Sequence, residues 1–196
     1  ISFSAPKQIN TDNYLPLDER EFYQALECVE AELADNGIET DIKHANLSRL
    51  DVFKNILTDE ETITYSPLLS LLNANRTKDR STHGATTWLM RNRSVEYCIY
   101  DKLEEMQSTG HLTDGLPKTL RFEHRCKTSA KVKNFYRDVV SVEDLKRYGW
   151  NAIYDRTMRS WDDNFFKYDV DDVDVLVESE VRRELEFFKV KYGKHF

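Results

Sequence analysis

Two periodicities divide the chain. Phe22, Leu26, Val29 and Leu33 recur at helical spacing behind Asp18, which can cap a helix running to about Ala34, with Gly37 beyond its end. Cys28 on this helix is most simply a packing residue. From Leu47 the period changes to two. Leu47-Ser-Arg-Leu-Asp-Val-Phe53, Thr86-Thr-Trp-Leu-Met90, Ser94-Val-Glu-Tyr-Cys-Ile-Tyr-Asp-Lys102 and Leu120-Arg-Phe-Glu-His-Arg-Cys126 all read as strands. Arg91-Asn-Arg93 turns the second into the third. Ser66-Pro67 opens a short helix between strands, 101–110 supplies another, and 4–17 and 73–84 read as loops. Helical spacing returns from Ala130. Ser141 to Asp144 forms an imperfect capping box, 151–161 continues as helix, and 173–192 carries Val175, Val177, Val181, Leu185 and Phe188 as one stripe. The pattern predicts an α+β fold. An antiparallel β-sheet with strands near 47–53, 86–91, 95–102 and 119–126 has helices over one face, followed by a helical C-terminal extension. Leu50, Val52, Trp88, Val95, Tyr97, Ile99 and Phe122 are the expected core.

The alternation also assigns the other face. Glu96, Cys98, Tyr100 and Lys102 point away from Val95, Tyr97 and Ile99, so one surface carries a phenol beside an ammonium. A phenol with a pKa of about 10 is a poor nucleophile at neutral pH without such a neighbour. A Tyr-x-Lys strand is also compatible with a half-buried tyrosine beside a solvated lysine. Arg49 and Asp51 share a face with Phe53, as a self-paired salt bridge or as a carboxylate aimed at a metal or phosphate. Arg121, Glu123 and Arg125 place a carboxylate between two guanidiniums. The aspartates at 169, 171, 172 and 174 lack the glycine of a calcium loop and read as favourable charge near a helix N-terminus.

Composition narrows the classes. The 196 residues allow one domain with a substantial core, or a domain with a smaller appendage, and no apolar run approaches the ~18 residues of a membrane span. Three cysteines without a C-x-x-C argue against a zinc site or disulfide framework, and for a reducing compartment. A net charge of −7 disfavours a generic nucleic-acid binder, but residues 71–135 hold 12 Lys and Arg against 7 Asp and Glu. That excess is either a solvated face or a nucleic-acid surface. In the second case Arg76, Lys78, Arg80, Arg91, Arg93, Arg121, Arg125, Lys127 and Lys131 are the candidate phosphate contacts.

Three segments carry a family resemblance. Ser48-Arg-Leu-Asp51, Tyr100-Asp-Lys102 and Leu120-Arg-Phe-Glu-His-Arg125, the last followed by a basic helix and Val142-Glu-Asp-Leu145, resemble the rolling-circle replication proteins of filamentous phages, the gene II protein family. Ile1-Ser-Phe-Ser-Ala-Pro-Lys7 is similar to that family's strand and loop before its first long helix. The resemblance covers most of residues 1–147. It implies a nicking domain over 1–135, missing some N-terminal residues, and a helical C-terminal subdomain over 136–196. It implies a site-specific endonuclease that nicks one strand of supercoiled or single-stranded origin DNA, forms a 5′-phosphotyrosine link and frees a 3′-OH. The nucleophile falls on Tyr100, assisted by Lys102, and the sheet carboxylates on Asp51 and Glu123 as ligands for Mg²⁺ or Mn²⁺. The setting it implies is the bacterial cytoplasm, with host helicase and polymerase as further partners and no membrane. A DNA-binding relative without chemistry and an unrelated α+β interaction protein are the competing expectations. Tyr97 shares its parity with Val95 and Ile99, so it is expected to be packed rather than reactive.

Overall fold

The computed structural model describes residues 2–165, apart from 73, 75 and 76. The helix expected over 173–192, its preceding aspartates and Arg76 lie outside the described residues. The sequence expectation of an α+β fold holds. A five-stranded sheet is built from β1 (Leu50–Leu57), β2 (Asp79–His83), β3 (Thr87–Arg91), β4 (Val95–Asp101) and β5 (Thr119–Cys126), in the order β1-β5-β4-β3-β2. Every pair is antiparallel. The helices are α1 (Ala5–Ile9), α2 (Glu19–Asp35), α3 (Ser66–Leu71), α4 (Lys102–Ser108), α5 (Ser129–Phe135), α6 (Val142–Tyr148) and α7 (Trp150–Phe165).

Local chemistry explains the boundaries. Asp18 accepts from the Glu21 N–H while Glu21 accepts from the Asp18 N–H, both at 2.8 Å, closing a capping box at the start of α2. Ser141 and Asp144 close a second one at α6, although aspartate stands where a longer acid is usual. Gly149, at φ +96°, makes the left-handed turn that separates α6 from α7. Three expectations shift. The first strand lies over 50–57 rather than 47–53, because the Leu47 N–H bonds the Val140 carbonyl instead of joining the ladder. β2 forms where a loop was expected. Asp79-Arg-Ser-Thr-His83 has no apolar alternation, and backbone pairing to β3 holds it at the sheet edge. A short helix, α1, also occupies part of the expected N-terminal loop, with Pro6 in its first turn.

The register sorts side chains into two faces. On one, Val95, Tyr97 and Ile99 of β4 lie opposite Cys126, His124 and Phe122 of β5, with Trp88 and Met90 alongside. This face packs on α7. Trp161 meets Tyr97 and Phe122 edge-on, with ring centroids 5.1 and 5.0 Å apart. The Tyr97 hydroxyl is 2.7 Å from Ser160 Oγ. Cys126 continues into a second cluster with Val132, Tyr136, Val139, Leu145 and Ile153, which spans residues 126–153. Leu50 and Val52, expected in the core, are half-buried at the margin of that cluster.

His124 is fully buried in this layer between the rings of Tyr97 and Phe135, at 4.9 and 4.5 Å, and neither of its nitrogens has a partner among the described residues. Burial, aided by the nearby Lys131 charge, pulls its pKa from 6.5 down to about 3. Above about pH 6.5 the imidazole is neutral in both folded and unfolded chains. As pH falls below that value the unfolded chain takes up the proton first, so stability drops through the window from 6.5 down to about 3. The slope from this group alone approaches about 1.4 kcal/mol per pH unit. Urea unfolding at a series of mildly acidic pH values checks this. The wild-type midpoint is expected to fall with pH, and His124→Phe is expected to flatten that fall.

Candidate active site and nucleic-acid face

The face turned away from α7 carries charge on its three central strands. Register places Asp51, Arg125, Glu96 and Arg91 in one row across β1, β5, β4 and β3. The next row holds Phe53, Glu123, Cys98 and Leu89, and the third Asn55, Arg121, Tyr100 and Thr87. Arg125 is the hub, because its Nη1 donates to Glu96 at 2.5 Å and its Nη2 to Glu123 at 2.7 Å. Lys127 adds a weaker contact to Glu96 at 3.8 Å. Asp51 is held by Arg49 through contacts of 2.7 to 3.0 Å. Burial pushes the Asp51 carboxyl up, the Arg49 bonds oppose this, and Glu123 adds to the rise.

Tyr100, Asp51 and Glu123 therefore share the face opposite the covering helices. Glu123 sits diagonally from both, and Asp51 lies two strands from Tyr100. Tyr100 is 8% exposed. Burial pushes its phenol up, the Glu123 carboxylate adds to the rise, and the Arg121 guanidinium pulls the other way. Lys102 does not act on it as the alternation suggested. The strand ends at Asp101, which caps α4, and the buried Lys102 ammonium donates to Asn13 Oδ1 at 2.6 Å and to Glu105. Cys98, between Glu96 and Tyr100 on the same face, has its thiol pushed up to about 12 by burial and is not a nucleophile at neutral pH.

Arg121 is not a free phosphate contact either. It is 1% exposed and donates to Asn55 Oδ1 at 2.8 Å and to the Asn13 and Tyr14 carbonyls at 2.7 and 2.8 Å. The Asn13–Tyr14 segment thus crosses the Tyr100 end of the face. Sequence reasoning missed Asn13, Tyr14 and Asn55. Only Asn55 left a signal, standing in phase with Asp51 and Phe53. Glu96 was placed on this face but not recognised as the partner of Arg125.

The other candidate cations divide by position. Arg91 is exposed on the charged face, Arg93 is exposed in the β3–β4 turn, and Lys78 lies where its N–H meets the Arg91 carbonyl. None of these three is in an ion pair among the described residues. Lys127 joins them at the same end, its N–H bonded to the Ser94 carbonyl. Arg80 lies opposite Met90, and Lys131 stands over the Phe135 ring, so both belong to the helix-covered side. The exposed cluster sits about 13 Å from Tyr100 along the strand direction, four residues at ~3.4 Å each.

Asp51 and Glu123 offer the hard oxygens that Mg²⁺ or Mn²⁺ prefers. Each carboxylate is nevertheless occupied by a guanidinium, and among the described residues no three His, Cys, Asp or Glu side chains come together as a metal site. Holding a divalent cation there would require each carboxylate to leave its guanidinium.

The hub gives a stability prediction. Arg125→Met leaves Glu96 and Glu123, with side chains 9% and 13% exposed, without their guanidinium. The expected loss is about 3 kcal/mol by chemical denaturation. Arg49→Met, whose guanidinium is half exposed, is expected to cost about 1 kcal/mol or less.

No match was found among curated proteins or among solved structures. Residues 13–160, which contain the whole sheet and all three rows of its charged face, match a family model of phage proteins, described as the N-terminal region of a replication-associated protein. The chain belongs to this family of phage replication-associated proteins.

Proposed function

We propose that this chain is the nicking part of a rolling-circle replication initiator, with Tyr100 as the nucleophile. The observation that carries the proposal is the placement of Tyr100. It lies on a central strand of the sheet, on the face opposite α7, across from Arg121 and diagonal to Glu123, in a chain of a phage replication family. The phenol oxygen attacks the phosphorus of one phosphodiester and gives up its proton to solvent. The P–O3′ bond breaks, the 3′-oxygen takes up a proton, and the products are a 5′-phosphotyrosine and a free 3′-OH. A bound Mg²⁺ or Mn²⁺ would supply charge neutralisation on the phosphoryl oxygens. Asp51 and Glu123 are tied to guanidiniums, so holding such an ion would require those pairs to open. The setting is the bacterial cytoplasm of a phage host, with origin DNA as substrate and host helicase and polymerase acting on the product.

A second reading has an observation of its own. A phenol that is 8% exposed and pushed up by burial suits a packed residue in a DNA-binding protein without chemistry. Tyr100→Phe separates the two. The full-length protein carrying it is expected to bind origin DNA yet form no SDS-resistant adduct with Mg²⁺ or Mn²⁺ present. Tyr97→Phe, which gives up hydroxyl contacts to Ser160 and Asn164 on the helix-covered side, is expected to form the adduct. Adduct formation by Tyr100→Phe would remove Tyr100 from the chemistry.

Binding itself is proposed to run through Lys78, Arg91, Arg93 and Lys127 at the turn end of the face. Each phosphate neutralised contributes about 0.7 to 0.9 to the log–log salt slope. Reversing Arg91 and Arg93 to Glu is expected to weaken binding by more than about tenfold at low salt and to flatten that slope. Salt-insensitive binding, or an unchanged slope in the double variant, would place the DNA elsewhere.

A further inference from the structure

The buried cations on the charged face are not equivalent. Arg125 is neutralised by Glu96 and Glu123, and Lys102 by Glu105. Arg121 is different. Its three hydrogen bonds end on the amide oxygen of Asn55 and the carbonyls of Asn13 and Tyr14, and its Cζ lies 3.9 Å from the Phe53 ring centroid. Among the described residues no carboxylate pairs with it. A fully buried guanidinium ordinarily finds a counter-ion, because its charge is expensive to hold in a dry interior. Here neutral oxygens hold it in place and leave its charge uncompensated. Directly across the ladder, on the same face, is Tyr100. Side chains opposite each other in an antiparallel pair have Cβ atoms about 5 Å apart, within reach of a long side chain.

We propose that Arg121 is the positioning residue for the Tyr100 nucleophile, a fixed positive charge held by the Asn13–Tyr14 backbone and Asn55, whose missing counter-ion is the phenolate itself. This rests on Tyr100 being the nucleophile. A preset charge needs no reorganisation as the anion develops, which is what makes such groups effective in a water-poor site. The surroundings of the phenol agree. Burial opposes its ionisation most, Glu123 on β5, Cys98 on β4 and Glu105 on α4 add to that, and Arg121 acts in its favour. Lysine in place of Arg121 keeps the charge but cannot bond all three oxygens in a planar fork.

The test places 3,5-difluorotyrosine at position 100 of the full-length protein and follows its ionisation by fluorine NMR as pH is raised. Arg121→Met is expected to raise the midpoint by about one pH unit or more, a tenfold loss of phenolate at fixed pH. Arg121→Lys is expected to recover part of that shift, and Asn55→Ala to give a smaller rise in the same direction. If Arg121→Met fails to fold, the Lys and Asn55 variants carry the measurement. A midpoint unmoved by the Arg121 and Asn55 changes, or moved more by Lys102→Met, overturns the proposal. The unlabelled wild-type protein is assayed in parallel for the SDS-resistant adduct. If it forms none through Tyr100, the nucleophile assignment fails and Arg121's role with it, whereas an adduct with an unmoved midpoint rejects Arg121 alone.

Discussion

A guanidinium in the middle of a sheet constrains everything around it. Arg121 has five donors and no access to water, and each buried donor left unmet costs about 1–3 kcal/mol. The fold meets this demand by sending the chain from α1 across the end of the sheet, so that the Asn13 and Tyr14 carbonyls arrive at the guanidinium. The same segment is then tied down around it. Asn55 donates to the Tyr14 carbonyl, Lys102 to Asn13, and the Tyr14 hydroxyl lies 2.8 Å from Thr119 Oγ1. The placement of α1 and α2 relative to the sheet therefore follows in part from one buried charge.

β5 shows how a single strand serves two environments. Leu120, Phe122, His124 and Cys126 face the helices, while Arg121, Glu123 and Arg125 face the other way. Apolar burial on one side, at about 25 cal/mol per Å², supports the strand that carries the ionic row on the other. The ionic row is weak evidence for stability, since desolvating charges offsets most of their attraction. Its value lies in specifying which strands sit side by side. Arg125 bonded to Glu96 joins β5 to β4, and Asp51 opposite Arg125 brings β1 into the same row.

Much of this was legible from the pattern of residues. Alternation gave β3, β4 and β5 nearly to the residue, assigned Tyr97 to the packed side and Tyr100 to the charged side, and placed Asp51 and Glu123 on one face. The cap at Asp18 and the capping box at Ser141 were visible because their chemistry is local. β2 was not, since an edge strand held by backbone bonds needs no apolar side chains. The partners of Lys102 and Arg121 were invisible for a different reason. Asn13 lies 89 and 108 residues away from them in sequence, and a carbonyl acceptor carries no side-chain signature. The basic excess over 71–135 pointed to a region, but could not separate exposed Arg91 and Arg93 from Arg121 and Arg125, which the sheet consumes.

The charged face is set up unequally along its length. At the β3–β4 turn Arg91 and Arg93 are exposed and outside any ion pair among the described residues, suited to meeting a phosphate backbone by diffusion. At the other end the Tyr100 phenol is buried beside a segment tied down by its polar contacts. In the proposed function a polyanion engages the turn end, where the cations are exposed, whereas the Tyr100 end is the more closed of the two. In that proposed function, binding and reaction use different ends of the face. Electrostatic capture would act on the exposed arginines, while Arg121, held by the Asn13 and Tyr14 carbonyls, stands as a charge already in position across the ladder from Tyr100.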